Sequence, residues 1–377
     1  AATLFGGLRV PARAAALGNS AISHALDYDD THFAHIDYLS VGVLPAALAV
    51  AEEMNASGAE VRNAFLLGAK GTVRLRMHLG RDHCQRGFHQ TATAGAFGAA
   101  IAAARLLRLS EDKTRHGLSL IATRASGLKS QFGTMGKPYN VGIAVANGVE
   151  AAKLAEIGFV SCDDGVFGAK GFVETHSDLH DLDGPWSELP PEVFLFEDVK
   201  YKLHACCHGT HAMIDAIRSA LEVCPVEPEK VAGVTLRVNP RWLRVCDKKT
   251  PRTGLEVKFS YAWLAGMVVS GIDTSADVTF NDALCIDPKL AEFATRVIVS
   301  GAPEVPDAAA IGAIEMMDGR KIKFSYDLAA RRENSKIETG LRTKARSLIG
   351  VSAAKSLWST ISDLDNISAQ QLAKCLC

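Results

Sequence analysis

The chain has 377 residues, enough for two domains, and 48% of them are apolar, which allows a large buried core. A net charge of −1 without a long basic stripe argues against nucleic-acid binding, and no apolar run reaches the roughly 18 residues that a membrane-spanning helix needs. Nine cysteines without a CxxC pair indicate reduced thiols. We therefore expect a cytoplasmic protein that binds neither nucleic acid nor membrane.

The first half of the sequence predicts one helix after another. Abundant Ala and Gly, with only 7% aromatic residues, favour closely packed helices over an all-β fold. Gly, Asn and Asp separate the predicted helices, which cover 12–26, 43–54, 59–79, 91–109, 113–126 and 140–158. Gly95 and Gly98 lie among alanines, so we expect the helix that contains them to present a smooth face for close contact with another helix.

The pattern changes after about residue 181. A linker is predicted over 183–191, followed by strands over 231–238, 295–300, 310–316 and 321–326 and helices over 210–223 and 255–270. Asp318-Gly319 predicts a hairpin between the last two strands. We therefore predict a mainly α fold with a smaller α+β domain. The helical domain would cover 1–195, completed by C-terminal helices in 330–377, and the α+β domain would cover 196–329.

Acids and histidines are concentrated in the segment HALDYDDTH, from His24 to His32, with His35 and Asp37 just beyond. Acids at the end of a helix oppose its dipole, so they have no evident stabilising role there, and we interpret the segment as functional. A frayed helix end in solvent is the alternative without function. A zinc or iron site is a further alternative, although no standard ligand spacing occurs; its ligands would be Asp29, Asp30, His32 and His35.

Three other segments carry candidate residues. Lys202 precedes the apolar Leu203 and is suited to anchor an anionic ligand, with a solvated surface lysine as the alternative; Cys206 and Cys207 nearby are redox-active, metal-binding or simply buried. Lys137 follows two glycines that permit close approach of a ligand. His89 lies at the start of an Ala- and Gly-rich helix, where the dipole favours a neutral imidazole or a nearby anion.

Several segments, taken in order, resemble the MmgE/PrpD family. They are HALDYDDTH, VLPAALAVAE (43–52), GFHQTATAGAFGAA (87–100), FGTMGKP (132–138), the stretch 202–211 and Phe259-Ser260-Tyr261. The resemblance covers nearly the whole chain. Members of that family usually have further helices upstream, so we expect this chain to be incomplete at its N-terminus.

The resemblance implies a fold and a class of chemistry. The family includes 2-methylcitrate dehydratase, cis-aconitate decarboxylase and iminodisuccinate epimerase. Its members have a large helical domain and a smaller α+β domain with the active site between them, and they are typically homodimers. The resemblance also implies that no cofactor and no metal take part, and that the substrate is a small anionic carboxylate.

The family's active-site positions correspond to five residues of this chain. The resemblance implies catalytic roles for Asp27, His89, Lys202 and Tyr261 and a substrate-binding role for Lys137. One departure concerns the His-Pro-Ser that relatives often show before the next Leu-Pro, because this chain has Tyr38-Leu39-Ser40 there and its nearest histidine is His35. We add Tyr38, His35 and Cys207 as candidate substrate contacts.

The chemistry that the resemblance implies is proton transfer at a carbon next to a carboxylate. Lysines would hold the substrate carboxylates and stabilise the developing dianion, while His89 would act as acid or base. Asp27 would orient His89 or act as its partner, and Tyr261 or Tyr38 would protonate the leaving group. We predict a hydro-lyase that dehydrates a hydroxylated di- or tricarboxylate. The alternatives are an epimerase or decarboxylase of a related acid, a non-catalytic helical binding protein and a metallohydrolase.

Overall fold

A computed structural model describes residues 1–33, 37–132, 134–181, 183 and 195–377. The chain forms two compact units, one comprising 1–201 and 355–377 and the other 202–354. Apart from Asp183, the linker predicted over 183–191 lies outside the described residues. No helix in the described ranges is long and apolar enough to cross a membrane.

Helices make up most of the first unit. They are α1 (Ala12–His24), α2 (Leu44–Met54), α3 (Gly58–Gln85), α4 (Gln90–Leu106), α5 (Glu111–Ala122), α6 (Gly136–Glu156) and the short α7 (Phe172–His176). Each of the six helices predicted here is present. The prediction for α3 stopped at 79 because Gly80 interrupts the pattern. The structure has a kink at Gly80, with φ of 60°, and the helix then continues to Gln85.

Small residues allow α4 to lie at the centre of this unit. Every residue from Gln90 to Ala100 is buried. A Cβ atom on Gly95 would lie 3.2 Å from the Cα of Gly42, and one on Gly98 would lie 2.9 Å from the carbonyl oxygen of Gly68. These approaches confirm the predicted smooth face, and they leave the N-terminus of α4 deep in the packed core.

Short strands tie the acid-and-histidine segment to this core. The first unit contains β1 (Ala2–Thr3), β2 (Arg9–Val10), β3 (Thr31–His32), β4 (Asp37–Tyr38) and β5 (Val199–Lys200). The central strand β3 is antiparallel to both neighbours, and Thr31 is paired with Tyr38 on one side and Lys200 on the other. The pairing therefore fixes Tyr38 beside the segment that follows α1.

The second unit is built on a four-stranded sheet in the order β7-β6-β8-β9. The strands are β6 (Val231–Val238), β7 (Val297–Gly301), β8 (Ala309–Met316) and β9 (Lys321–Asp327). β6 and β7 are parallel and the other pairs antiparallel. The predicted hairpin is confirmed, because β8 and β9 join through a turn in which Gly319 has a φ of 86°.

Helices in the second unit are α8 (His208–Val223), α9 (Pro240–Cys246), α10 (Gly254–Val257), α11 (Tyr261–Val269), α12 (Pro288–Thr295) and α13 (Asn334–Ile349); α14 (Val351–Ser362) and α15 (Ala369–Lys374) complete the chain. The single helix predicted over 255–270 is wrong. It is divided at Ser260, which has extended backbone angles and whose hydroxyl accepts from the N–H of Trp263, so that α11 begins there.

The C-terminal helices are divided between the two units. α13 lies in the second unit, whereas the sequence prediction placed all of 330–377 with the helical domain. The Nζ of Lys344 on α13 donates to the carbonyl of Lys202 over 3.1 Å, which ties this helix to the start of the second unit. By contrast, α15 packs on α2 and α3, and Gln370 donates to the carbonyl of Glu52 over 2.9 Å.

Candidate active site

An ion pair between Asp27 and Lys137 lies at the end of α1. Asp27 follows the helix in a turn closed by its own N–H, which donates to the carbonyl of His24 over 3.1 Å. Its φ of 54° is in the left-handed region, which Asp tolerates better than most residues. Its Oδ1 accepts a hydrogen bond from the Nζ of Lys137. The turn thus directs the predicted catalytic carboxylate at the predicted substrate-binding lysine.

Lys137 lies in the first turn of α6, which begins at Gly136 and not at 140 as predicted. Pro138 caused the misplacement, although a proline in the first helical turn lacks only an N–H that would have no helical partner there. The side chain of Lys137 is only 16% exposed, so it is not freely solvated. Its Nζ lies 4.8 Å from the ring centroid of Tyr38 and 5.4 Å from that of Phe132. Two aromatic rings therefore shape the surroundings of the ammonium.

His89 is the residue that precedes α4 and is completely buried. Its N–H donates to the carbonyl of Gly127 over 2.9 Å, and its ring packs edge-on against Phe132 with centroids 4.9 Å apart. Neither ring nitrogen has a hydrogen-bond partner among the described residues. Burial lowers the pKa of His89 to about 4, although the carboxylate of Asp37 acts in the opposite direction. The imidazole is therefore neutral at neutral pH.

Asp37 is the carboxylate that faces His89, with 3.7 Å between Oδ2 and Nε2. The same Oδ2 accepts from the N–H of Thr91 in the first turn of α4 over 3.2 Å. Asp27 contacts Lys137, so the carboxylate beside His89 is that of Asp37. No role was predicted for Asp37 from the sequence. The sequence could have indicated a role for Asp37 only through its position directly before Tyr38, a predicted site residue.

His24 and Asp29 also join this group, although no role was predicted for His24 and Asp29 was predicted only as a ligand in the metal alternative. The Nδ1 of His24 lies 2.6 Å from Oδ2 of Asp29. The ring of His24 is 4.8 Å from that of Tyr38 and 5.7 Å from that of His89, centroid to centroid. His24 is the last residue of α1 and Asp29 lies beyond the helix, so helical periodicity does not predict the contact between them.

The remaining acids and histidines of the segment have separate structural partners. Asp30 accepts from the N–H of Ser40 over 3.0 Å and also from its hydroxyl. The Nε2 of His32 lies 2.6 Å from the carbonyl oxygen of Leu195. Within the described ranges, no three His, Cys, Asp or Glu side chains are grouped as metal ligands would be. His35, proposed as a substrate contact and as a ligand in the metal alternative, lies outside the described residues.

Lys202, Cys207 and Tyr261 lie in the second unit. Lys202 is completely buried, so the alternative of a solvated surface lysine is wrong. Tyr261 is also completely buried, and its hydroxyl donates to the carbonyl of Gly209 over 2.8 Å. Burial raises the pKa of Tyr261, which keeps the phenol protonated. Cys207 is half-buried and its N–H donates to the carbonyl of Lys258 over 3.0 Å, while burial raises the pKa of Cys206 to about 12.

A charged network in the second unit supports the segment after Lys202. The two ring nitrogens of His204 lie 2.8 Å from the hydroxyl of Thr274 and 3.1 Å from the carboxylate of Asp215. Asp215 also forms an ion pair with Arg332. Although burial opposes ionisation of Asp215, the contacts with His204 and Arg332 lower its pKa. These contacts fix the backbone that carries Lys202 and Cys207.

Comparisons with known proteins cover most of the chain. Residues 1–184 match the model of the MmgE/PrpD N-terminal domain, and residues 204–362 match that of the C-terminal domain. The chain is 27% identical over 312 residues to cis-aconitate decarboxylase of Mus musculus, covering 79% of this chain and 62% of that protein. It is 30% identical over 220 residues to the cis-aconitate decarboxylase of Aspergillus terreus, covering 55% of this chain and 45% of that protein. The chain thus spans about three fifths of the mouse protein and less than half of the fungal one.

Proposed function

The chain belongs to the MmgE/PrpD family, and we propose that it is a lyase that dehydrates a hydroxylated di- or tricarboxylate. The observation that carries this proposal is the buried, neutral imidazole of His89. A neutral imidazole has a lone pair available to accept a proton, and burial keeps water from competing for it. Dehydration begins with removal of such a proton from the carbon next to a carboxylate.

Lys137 supplies the positive charge that this step needs. Removal of a proton next to a carboxylate leaves a dianion, which an ammonium group stabilises best where water is excluded. Lys137 is mostly buried, and Asp27 holds its ammonium in place. In this proposal a substrate carboxylate takes up the charge of Lys137, and Asp27 positions the lysine.

Lys202 and Tyr261 are proposed to take part from the second unit. A fully buried lysine is costly for a fold, so the complete burial of Lys202 within a motif supports a functional role. Tyr261 stays protonated and is held by the carbonyl of Gly209, which suits a donor or a positioning group. We expect Lys202→Ala to reduce turnover at least as strongly as His89→Ala.

Decarboxylation is the second candidate, and the relatives favour it. The mouse and Aspergillus terreus proteins are both cis-aconitate decarboxylases. That reaction breaks a carbon–carbon bond, releases carbon dioxide and ends with delivery of a proton to carbon. That step requires a proton donor, and the neutral imidazole of His89 is a weak acid that is better suited to accept a proton.

One experiment separates these functions. The purified chain is incubated in heavy water with citrate-, malate- and aspartate-like acids and with cis-aconitate, and the products are followed by proton and carbon NMR. Dehydration gives alkene signals, with deuterium in the remaining substrate where a deuteron from solvent returns to the carbon before the hydroxyl leaves. Epimerisation gives deuterium without an alkene, and decarboxylation gives carbon dioxide and a shortened acid. A folded chain without exchange or turnover on the panel would contradict the proposal. So would wild-type turnover in both His89→Ala and Lys202→Ala.

A further inference from the structure

A second buried imidazole lies in the same cluster as His89. His24 is the last residue of α1 and its side chain is inaccessible to solvent. Its Nδ1 lies 2.6 Å from the carboxylate of Asp29, which is itself only 9% exposed. Among the described residues, no hydrogen-bond partner is present for its other nitrogen, Nε2.

His24 has ring contacts with two candidate residues, His89 and Tyr38, and Tyr38 in turn contacts Lys137. The ring of His24 lies 5.7 Å from that of His89 at an interplanar angle of 26°, so the two imidazoles are stacked. The ring of Tyr38 lies 4.8 Å away, edge-on, and the Nζ of Lys137 lies 4.8 Å from the centroid of that tyrosine ring. His24 therefore contacts the ring of the proposed base, His89, directly. It is linked to the proposed carboxylate anchor, Lys137, through the ring of Tyr38.

The two imidazoles differ in their charged partners. A carboxylate accepts but does not donate, so Asp29 fixes the tautomer of His24 with its proton on Nδ1. If Nε2 also carries a proton, Asp29 balances the resulting charge, as the aspartate does in a Ser-His-Asp triad. Among the described residues, no carboxylate lies within hydrogen-bond distance of the His89 ring, and that of Asp37 is 3.7 Å away. Paired groups in such different surroundings are typical of acid and base partners.

Structural stability alone does not explain this pair. A buried imidazole–carboxylate pair loses the hydration of both groups, and apolar residues of similar volume are often at least as stable there. Here Nε2 of His24 and Oδ1 of Asp29 are buried and have no hydrogen-bond partner in the described part of the chain. Unsatisfied polar atoms at a site call for an explanation, and a role in proton transfer provides one.

We propose that His24, held by Asp29, is the second proton-transfer residue of this site and donates from Nε2. The proposal rests on the proposed function. In the dehydration, His89 removes a proton from the carbon next to a carboxylate, and the electron pair of that bond moves toward the carboxylate. The pair then forms the carbon–carbon double bond, and the hydroxyl leaves with its bonding electrons and takes the proton from Nε2 of His24. Water and an alkene are released, His89 returns its proton to solvent, and His24 regains one.

The test compares exchange with elimination in a matched set of variants. His24→Gln and Asp29→Asn remove the proposed donor and its carboxylate. His78→Gln is the control, because His78 is a buried histidine of the same unit whose Nδ1 lies 2.6 Å from a backbone carbonyl, that of Asp181, and not from a carboxylate. For each protein, substrate turnover and deuterium uptake by the substrate in heavy water are measured, together with the thermal midpoint.

We expect His24→Gln to lower kcat for elimination by about 100-fold or more, in the range of general acid catalysis, with KM changed by less than about threefold. Deuterium uptake should persist in this variant, because His89 still removes the proton, and a purely structural role would not separate the two rates. Asp29→Asn should show the same pattern to a smaller extent. In His78→Gln the ratio of deuterium uptake to elimination should be the same as in the wild type.

Two results would overturn the assignment of His24. One is wild-type elimination in His24→Gln; the other is an equal loss of exchange and elimination in a variant whose thermal midpoint is unchanged. A wild-type chain that neither exchanges nor converts any acid of the panel would instead remove the proposed function, and the role of His24 with it. The first two results leave the proposed function intact, so the two failures are distinguishable.

Discussion

Lys137 and Asp27, 110 residues apart in the sequence, form an ion pair in which the ammonium lies 4.8 Å from the ring of Tyr38. The resemblance to the MmgE/PrpD family led us to expect a histidine at the position of Tyr38. The ion pair and the ring together define the polarity of this part of the site. A tyrosine here offers the face of its aromatic ring to the ammonium, which distinguishes this chain from a relative with an imidazole at that position.

Replacing Lys137 by glutamine should lower kcat/KM by about 100-fold, because a charge-assisted contact with a carboxylate contributes roughly 1.5–3 kcal/mol. Lys153→Gln is the matched control, since Lys153 forms an ion pair with Glu53 in the same unit. Steady-state kinetics on the substrate identified by NMR measure both. Equal losses in the two variants would show that Lys137 contributes only to general electrostatics.

Variants of Asp27 should separate backbone strain from chemistry. Its φ of 54° suits glycine best, so Asp27→Gly should keep the free energy of unfolding within about 1 kcal/mol of wild type. Asp27→Ala should lose roughly 1 kcal/mol, because alanine disfavours the left-handed region. Both should lose activity, since neither retains the carboxylate that holds Lys137.

Asn55 provides the control for Asp27. It ends α2 with a nearly identical φ of 51°, and Asn55→Gly should therefore preserve stability and also activity. Urea unfolding and turnover are measured for all variants. If Asp27→Gly remained fully active, the carboxylate of Asp27 would have no role in the reaction.

Asp37→Asn should move the acid limb of the pH profile. The carboxylate of Asp37 raises the pKa of His89 against the larger effect of burial, so its removal should lower that pKa below its value of about 4. The amide oxygen can still accept from the N–H of Thr91, which preserves the start of α4. The pH dependence of kcat/KM and an NMR titration of His89 both report the shift. A shift to higher pH would contradict the described arrangement.

Buried histidines should make the protein sensitive to acid. Burial lowers the pKa of His83 from 6.5 to about 4. Its neutral ring is held by the carbonyl of His176 at 3.0 Å and the hydroxyl of Thr93 at 2.8 Å. Between these pH values the unfolded chain binds a proton that the folded chain does not. The contribution of His83 to the free energy of unfolding is therefore fully present above pH 6.5. It declines by roughly 3 kcal/mol in total as the pH falls toward 4.

His83→Gln tests this contribution directly. The variant should be less stable than wild type at pH 7 but should lose roughly 2–3 kcal/mol less on acidification to pH 4.5. Denaturant unfolding of both proteins at the two pH values gives the difference. Identical acid sensitivity would mean that His83 is not the titrating group.

Much of the fold is predictable because the helices follow local rules. Ser57 and Glu60 form a capping box at the start of α3, and Ser110 caps α5, so the sequence marks these helix starts. The hairpin at Asp318-Gly319 is equally local. The break at Ser260 is harder to predict, because the apolar pattern continues on both sides and only a serine hydroxyl signals a new helix start.

The candidate site was predictable only in part. Motif resemblance selected Asp27, Tyr38, His89 and Lys137, and the structure brings these residues of the first unit together. The roles of Asp37 and of the His24–Asp29 pair depend on a turn and on strand pairing across the chain. Such contacts have no periodic signal, since they join residues through left-handed and extended backbone.

The return of α15 to the first unit has a consequence for synthesis on the ribosome. Ala369, Leu372 and Ala373 complete the core around α2 and α3, but they are translated after the whole of the second unit. At typical elongation rates of about 5–20 residues per second, the helices of the first unit wait on the order of ten seconds or more for this last segment. During that interval the apolar surface that α15 later covers is exposed in the nascent chain and is available for chaperones to bind.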